Sequence, residues 1–591
     1  MRDATAPHRR FRPAMWMLLP AVGFLLGLML YPVSQLLLLS LQTKAGAWTG
    51  ANYERLAAGA VYWRVLGITL RCAAWTTALS VVFSYPVAYL IATSTDRVRA
   101  RLTFWVMLPF WTSFLVRTFA WIVLLGRNGV FNQWLQAIGL TGAPLPMLYS
   151  FPAVMVGMLH ALMPLCVITM ISVMESIDGN LSKAALTLGA PRGSTFWRIY
   201  FPLSLPGVAA GGLLVFISSL GFFITPALLG SPREIMLPQI IIQQVQELLN
   251  WPFAGALSVL LIVAVLVVFT GYDRVFGISS LAGTTAAGAG RPAGRVTRFG
   301  RMLLAGLGRA SDLLGQALAG LQPRFRGAPP RGTRRMLWVA GLCALVFLAL
   351  PAFLMIPVSF TTRSVLDWPP RGFGVSWYQA YLGSGAWLAA TGRSFEVALL
   401  TAVLAMALGT PAAFGLSRGV RRGNGLILGL LLSPLIVPRI IIAVALFYLY
   451  AKLRLVGTTL GLVLGHTILA IPYVVVTMMA VLKTYDQRYD NAAWSLGANR
   501  LRALWHVTLP LLRAGLIAAF LFAFVTSFDE LTIALFVTGG LETTLPKMMW
   551  DSAVLQVDPT LAAVSTLLLL LITCILLLAG WIGRRDRAVR G

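Results

Sequence analysis

The chain has 591 residues, of which 58% are hydrophobic and only 11% charged, and a formal net charge of +28. A soluble globular protein carries about 25% charged residues, so this composition excludes a water-soluble domain and makes the lipid bilayer the solvent. The Lys and Arg residues cluster between apolar runs, which is positive-inside patterning, and no groove-reading motif accompanies them; lipid headgroups are an expected partner and nucleic acid is not.

In chain order, a basic start with Arg9, Arg10 and Arg12 precedes an apolar run from Trp16 to Leu41. That run exceeds the apolar core of a cleavable signal and reads as a first span. Further runs lie near 64–92, 102–126, 151–174, 206–230 and 253–276. Most reach the roughly 20 residues that cross about 30 Å of hydrocarbon. Residues 277–335, rich in Gly, Ala, Pro and Arg, read as a basic linker; helical periodicity from Met302 to Leu321 leaves open a surface-lying amphipathic segment or simple disorder. A second set of runs lies near 336–360, 389–417, 425–451, 457–482, 512–537 and 560–583, followed by Arg584, Arg585, Arg587 and Arg590. The predicted fold is all-α and polytopic, with twelve spans in two six-helix halves, 1–276 and 336–591, joined by 277–335. An even count with two basic ends places both termini in the cytoplasm. Cys72, Cys166, Cys343 and Cys574 fall in apolar runs without metal or redox spacing.

The halves are similar in sequence. An offset of 325 residues superposes Pro32-Val33-Ser34 on Pro357-Val358-Ser359, Tyr53 on Tyr378, Pro86 on Pro411 and Pro109 on Pro434. Beyond a longer loop the offset becomes 308, which brings Pro164 onto Pro472, Gly189 onto Gly497, Pro202 onto Pro510 and Leu237-Pro238 onto Leu545-Pro546. Six spans per half preserve orientation, so the repeats are parallel and predict a pathway at their interface.

After the fourth span of each half comes a loop with a common skeleton, KAALTLGAPRGSTFWRIYFP and NAAWSLGANRLRALWHVTLP. Ala184, Ala185 and Leu188, like Ala492, Ala493 and Leu496, form a small-residue helical face that another helix can approach. Gly189 and Gly497 then turn the chain; Ile199 and Pro202, Val507 and Pro510 lead into the next span. These residues resemble the EAA loop of binding-protein-dependent ABC importer permeases, although Lys183 and Asn491 stand where the family has glutamate. The resemblance implies type I importer repeats in a bacterial inner membrane. It also implies an ABC ATPase homodimer docked on these loops at the cytoplasmic face and an extracytoplasmic solute-binding protein on the outer loops. The chain has no Gly-x-x-x-x-Gly-Lys-Ser/Thr phosphate loop, so ATP and Mg belong to the partner and no enzymatic activity is expected here.

The stretches PFWTSFLVRTFAWIVLLGRNGVFN, NWPFAGALSV and TSFDELTIALFVTGGLETTLPKMMWDSAVLQVDPTLAAVST resemble the paired spermidine/putrescine permeases joined into one chain, a resemblance shared with iron(III), thiamine, phosphonate and opine importers. Asp529 and Glu530 lie within an apolar run, where a carboxylate costs about 2.5–3.5 kcal/mol unless paired or hydrated. They line a cation pathway, or they cap a broken helix or bind an arginine. Arg117, like Arg393 and Arg439, reads as a charge that snorkels to an interface; for Arg117 the alternative is that it lines the path or locks a helix pair. Glu396 and Arg71 occupy equivalent positions and make a conceivable pair. The aromatic stripe Phe110, Trp111, Phe114, Phe119 and Trp121 reads as packing or an interfacial belt before a cation cage. An ion-coupled secondary transporter also uses repeats and buried acids, but it has no need of two such loops.

Overall fold

The computed structural model describes residues 16–110, 112–276, 306–307, 309–313, 331–364, 368–370, 372–418, 424–539, 542–555 and 558–588. The N-terminal arginines and most of Met302–Leu321 lie outside these. Among the described residues no strand forms beyond isolated bridges. In hydrocarbon each backbone N–H and C=O must be satisfied within its own segment, and helix does this locally.

The first half comprises α1 (Leu19–Leu39), α2 (Ala60–Ala92), α3 (Asp96–Phe110), α4 (Phe114–Leu125), α5 (Phe151–Met174), α6 (Gly179–Thr187), α7 (Arg192–Leu220), α8 (Ile224–Leu229), α9 (Leu237–Gln246) and α10 (Trp251–Phe276). The second comprises α11 (Arg331–Ser359), α12 (Gly385–Arg418), α13 (Asn424–Ile436), α14 (Arg439–Leu453), α15 (Thr459–Thr484), α16 (Arg488–Ser495), α17 (Arg500–Phe528), α18 (Ala534–Val537), α19 (Leu545–Leu555) and α20 (Thr560–Ala588). Among the described residues ten helices are long and apolar enough to cross a membrane, and the count is eleven if α13 and α14, bent by 94° at their break, are taken as one span. The shorter apolar helix Thr560–Cys574 stands where the twelfth is expected.

Each third span is broken at the same place. α3 ends just after Pro109 and α13 just after Pro434; α4 restarts behind Ser113, which accepts the Leu115 N–H at 3.2 Å, and α14 restarts behind Pro438. Fifth spans α7 and α17 are 29 residues each. The sequence predicts that Pro202 and Pro510 open these spans; instead the helix runs through them. A proline cannot donate to the carbonyl four residues back, and the preceding turn widens to π geometry at Phe196–Tyr200 and Leu504–Thr508. Phe201 N–H then reaches the Phe196 carbonyl, and Leu509 N–H that of Leu504.

Fourth and fifth spans meet at equivalent glycines. A Cβ on Gly207 would fall 2.9 Å from Val173 Cβ, and one on Gly515 2.6 Å from a Val481 methyl. Such close backbone approach substitutes dispersion contact for the hydrophobic drive that lipid removes. The first spans follow a different register from the one their sequences predict. Ser40 and Ser359, each closing its helix, both hydrogen-bond a tyrosine hydroxyl at 2.6 Å, Tyr53 and Tyr378 respectively. Ser359 therefore matches Ser40 rather than Ser34, and the Pro-Val-Ser identity is a coincidence of sequence. First spans also cross over: α1 packs on α14, and α11 packs on α3 and α4. His160 of α5 joins this crossing by hydrogen-bonding the Leu348 carbonyl of α11 at 3.0 Å. One buried cluster spans both halves, from Leu36, Leu124 and Phe253 to Ile441, Tyr450 and Ile533.

Candidate coupling loops and the interface cluster

The two loops with the shared skeleton fold alike. α6 and α16 are short helices, each closed by a glycine of positive φ, +83° at Gly189 and +87° at Gly497. L-residues with a Cβ rarely adopt that region. Leu188 and Leu496, just before the glycines, are each 88% exposed. Leu186, Trp494 and Leu501 are exposed beside them. Ala184 and Ala492 also face outward, whereas Ala185 is half-buried and Ala493 buried; Ile199 and Val507 sit half-buried in the π-turns. Two apolar knobs are thus presented at equivalent places, uncovered among the described residues.

What holds each loop differs. Asp490, on the inward face of α16 and 3% exposed, accepts from Tyr485 Oη at 2.7 Å, Thr508 Oγ1 at 2.7 Å and Arg418 at 2.9 Å. It ties α16 to the end of α12 and to the π-turn of α17. Sequence reading passed over Asp490, although it immediately precedes the Asn-Ala-Ala of the motif. Its repeat position is Ser182. In the first half an aromatic group occupies the corresponding space: Tyr89 meets Phe196 and Tyr200 edge-on at 5.5 and 4.9 Å, and Tyr85 hydrogen-bonds Ser204 at 2.9 Å. Arg99 pairs with Glu175 nearby at 3.4 Å.

The second candidate site lies where the halves cross. Asp529 ends α17, lines a small cavity with Ser113, Phe528, Leu545 and Met549, and accepts the Phe114 N–H at 3.3 Å. Its carboxylate thereby completes the N-terminus of α4, whose free N–H groups and dipole favour an anion. Arg117, one turn along α4 and 1% exposed, supplies a compensating charge; it donates to the Ala161 carbonyl at 3.2 Å and stands 4.3 Å from the Phe114 ring centre. Glu530, also 1% exposed, accepts from Ile533 N at 2.8 Å and Ala534 N at 3.3 Å, capping α18, with His466 Nε2 3.5 Å away. As they stand, both acids accept backbone N–H groups at helix starts. At the repeat position, Gly221 ends α7 against the other break, where an added Cβ would fall 3.1 Å from Pro438. Each fifth span therefore terminates on the third-span break of the opposite half.

Glu396 is not part of this cluster. Its side chain is 55% exposed on α12 and pairs with Arg393 at 3.9 Å, while Arg393 also contacts Thr459 and Glu542. Arg71 lies instead over the Phe151 ring at 4.7 Å. Of the aromatic stripe, Phe119 and Trp121 are buried core residues; Trp111 lies outside the described residues. A separate cavity of about 440 Å³ is lined by Thr538, Thr543, Lys547, Asp551, Ser552 and Asp558, with Lys547 paired to Asp551 at 2.6 Å.

The comparisons with known proteins agree with the duplicated geometry. The family model described as binding-protein-dependent transport system inner membrane component matches residues 75–278 and again 405–588, together more than half of the chain. The spermidine/putrescine transport system permease protein PotB of Escherichia coli K12 is 31% identical over 264 residues, covering 44% of this chain and 96% of that protein. PotB of Salmonella typhimurium SL1344 is 33% identical over 210 residues, 36% of this chain and 73% of that one. The putrescine permease protein PotI of Escherichia coli K12 is 33% identical over 236 residues, 39% of this chain and 83% of its own. A solved bacterial ABC transporter that imports alginate is 16% identical with a TM-score of 0.34, over 44% of this chain and 99% of that chain. With the family's domain present twice in a chain about twice the length of a single permease, this protein belongs to the binding-protein-dependent transport system inner membrane components, as two permeases fused in one polypeptide.

Proposed function

We propose that this ABC importer permease carries a polyamine-class cation inward, receiving it from an extracytoplasmic binding protein and driven by a pair of ATPase subunits at its cytoplasmic face. The observation that carries the coupling half of this reading is the pair of uncovered leucines, Leu188 and Leu496, on matching positive-φ glycine turns. An apolar side chain exposed at two equivalent sites is a docking knob for a two-fold partner. ATP and Mg act on that partner, whose closure moves both loops and rocks the halves about their interface. In this reading both termini and the 277–335 linker are cytoplasmic, and Ala184, Ala185, Gly189, Ile199 and Pro202, with Ala492, Ala493, Gly497, Val507 and Pro510, form the levers.

The polyamine assignment rests on the relatives, whose names specify spermidine and putrescine. Asp529 and Glu530 contribute less, because their carboxylates are occupied within the protein. Reconstituting the chain with its ATPase and binding protein and measuring ATP hydrolysis with spermidine, putrescine, iron(III), thiamine or a phosphonate decides the solute. Stimulation by spermidine or putrescine alone is expected; stimulation by another of these moves the assignment to that class. Uptake by the chain alone in ATP-free vesicles overturns the importer reading.

A further inference from the structure

Linker residues 309–313 are helical and rest against the first coupling loop. Asp312 Oδ1 accepts the Ser194 backbone N–H at 3.1 Å, and its Oδ2 accepts the Ser194 hydroxyl. The approach depends on Gly193: a Cβ there would fall 2.5 Å from Asp312 Oδ1 and 3.0 Å from Ser311 Cβ. Every one of these features is reversed in the second half. Leu501, 64% exposed, stands at the position of Gly193. Arg502, at the position of Ser194, has its N–H capped from within its own segment by Asn499 Oδ1 at 2.8 Å. Pro191 takes the place of Asn499 and has no side-chain acceptor to offer. First-turn N–H groups of a helix need an acceptor from outside the backbone ladder, and the first half draws its acceptor from the linker.

We propose that Asp312 is a positioning residue for the first coupling loop: the linker supplies the N-cap that Pro191 cannot, and so fixes the angle at which α6 meets the start of α7. The proposal rests on the coupling role given to these loops. The linker is then a strap on one lever, not a passive tether between halves, and it makes the two levers mechanically unequal.

The test has two arms, both in the full-length chain with its four native cysteines replaced by alanine. In the first, Ser311→Cys is labelled with a polar maleimide, with and without Asp312→Ala; docking predicts at least a threefold faster reaction once Asp312 is removed. In the second, the chain without Ser311→Cys is reconstituted with ATPase and binding protein, and spermidine uptake is measured per ATP hydrolysed. Asp312→Ala is expected to lower that ratio about threefold, and adding Pro191→Asn, which restores a local cap, to return it to the starting value. Unchanged labelling, an unchanged ratio, or a double variant as defective as the single one overturns the proposal. A starting complex with no ATP-dependent spermidine uptake counts against the polyamine-import reading and not against the strap, and the labelling arm then still decides whether Asp312 holds the linker down.

Discussion

The first and second coupling loops share an outline and differ in what secures it. Both have the short helix, the left-handed glycine, the exposed leucine and the π-turn before a proline. Around α16 the fastening is polar and buried, with Asp490 gathering three donors. Around α6 it is aromatic packing together with a carboxylate from the linker. The backbone path is thus common to the two repeats, whereas the interactions that stabilise it have diverged. A partner that docks on both loops meets matching shapes of unequal stiffness.

The largest effects are expected where the loops are the same. Nothing lies within 4 Å of a Cβ added at Gly189 or Gly497, so the cost of a side chain is conformational, about 1–2 kcal/mol for an L-residue held left-handed. Gly497→Trp and Gly189→Trp add bulk beside the docking leucine as well. Each is expected to leave membrane insertion intact and to lower ATP-driven uptake by more than about tenfold, since each 1.4 kcal/mol is a factor of 10. Equal losses at the two sites would confirm a two-fold partner; loss at one alone would break the symmetry of the reading.

Differences come next. Asp490→Ala strips Thr508, Tyr485 and Arg418 of a shared acceptor, at about 1–3 kcal/mol, discounted because Arg418 is partly solvated. Solute-stimulated ATP hydrolysis should fall severalfold. Ser182→Ala, at the repeat position, should leave it unchanged. Equal sensitivity would mean that the first loop also depends on a polar anchor.

How far these features could be read in advance follows from their range along the chain. The all-helical polytopic fold, the repeat and the two glycine turns are written in local pattern: long apolar runs, prolines at fixed offsets, small residues before a glycine. The first-span register was misread because three identical residues, Pro-Val-Ser, outweighed a serine–tyrosine contact that only the folded loops reveal. Asp490 was missed because its partners, Arg418 and Thr508, are 72 and 18 residues away. The crossing of Asp529 onto Phe114 joins residues 415 apart and could not be read from either segment. Its alternative, a capping role, was legible from chemistry alone, since a carboxylate in an apolar run needs donors.

Asp529 sharpens the comparison at the interface, where its counterpart is Gly221. Asp529→Asn keeps an acceptor for the Phe114 N–H but removes the charge facing Arg117. Leaving a buried guanidinium uncompensated is costly, up to about 3–5 kcal/mol for a fully buried pair, and less here because Asp529 borders a cavity. Uptake of spermidine is expected to fall a fewfold, with a lower unfolding temperature in detergent. A drop in uptake without any loss of stability would instead indicate that the carboxylate meets the solute.

The smallest effect separates the interface acids from the outlying one. Glu396 projects from α12 with its side chain 55% exposed, and its contact with Arg393 is long at 3.9 Å. Exposed ion pairs contribute little, about 0–1 kcal/mol, and Arg393 keeps Thr459 and Glu542 as partners when Glu396 is neutralised. Glu396→Gln should therefore leave spermidine uptake, ATP hydrolysis and unfolding temperature at their starting values, in contrast to Asp529→Asn in the same assays. Selective loss of uptake in Glu396→Gln would place a solute contact on the outer surface of α12, and the pathway would then have to run beside the second half rather than between the two.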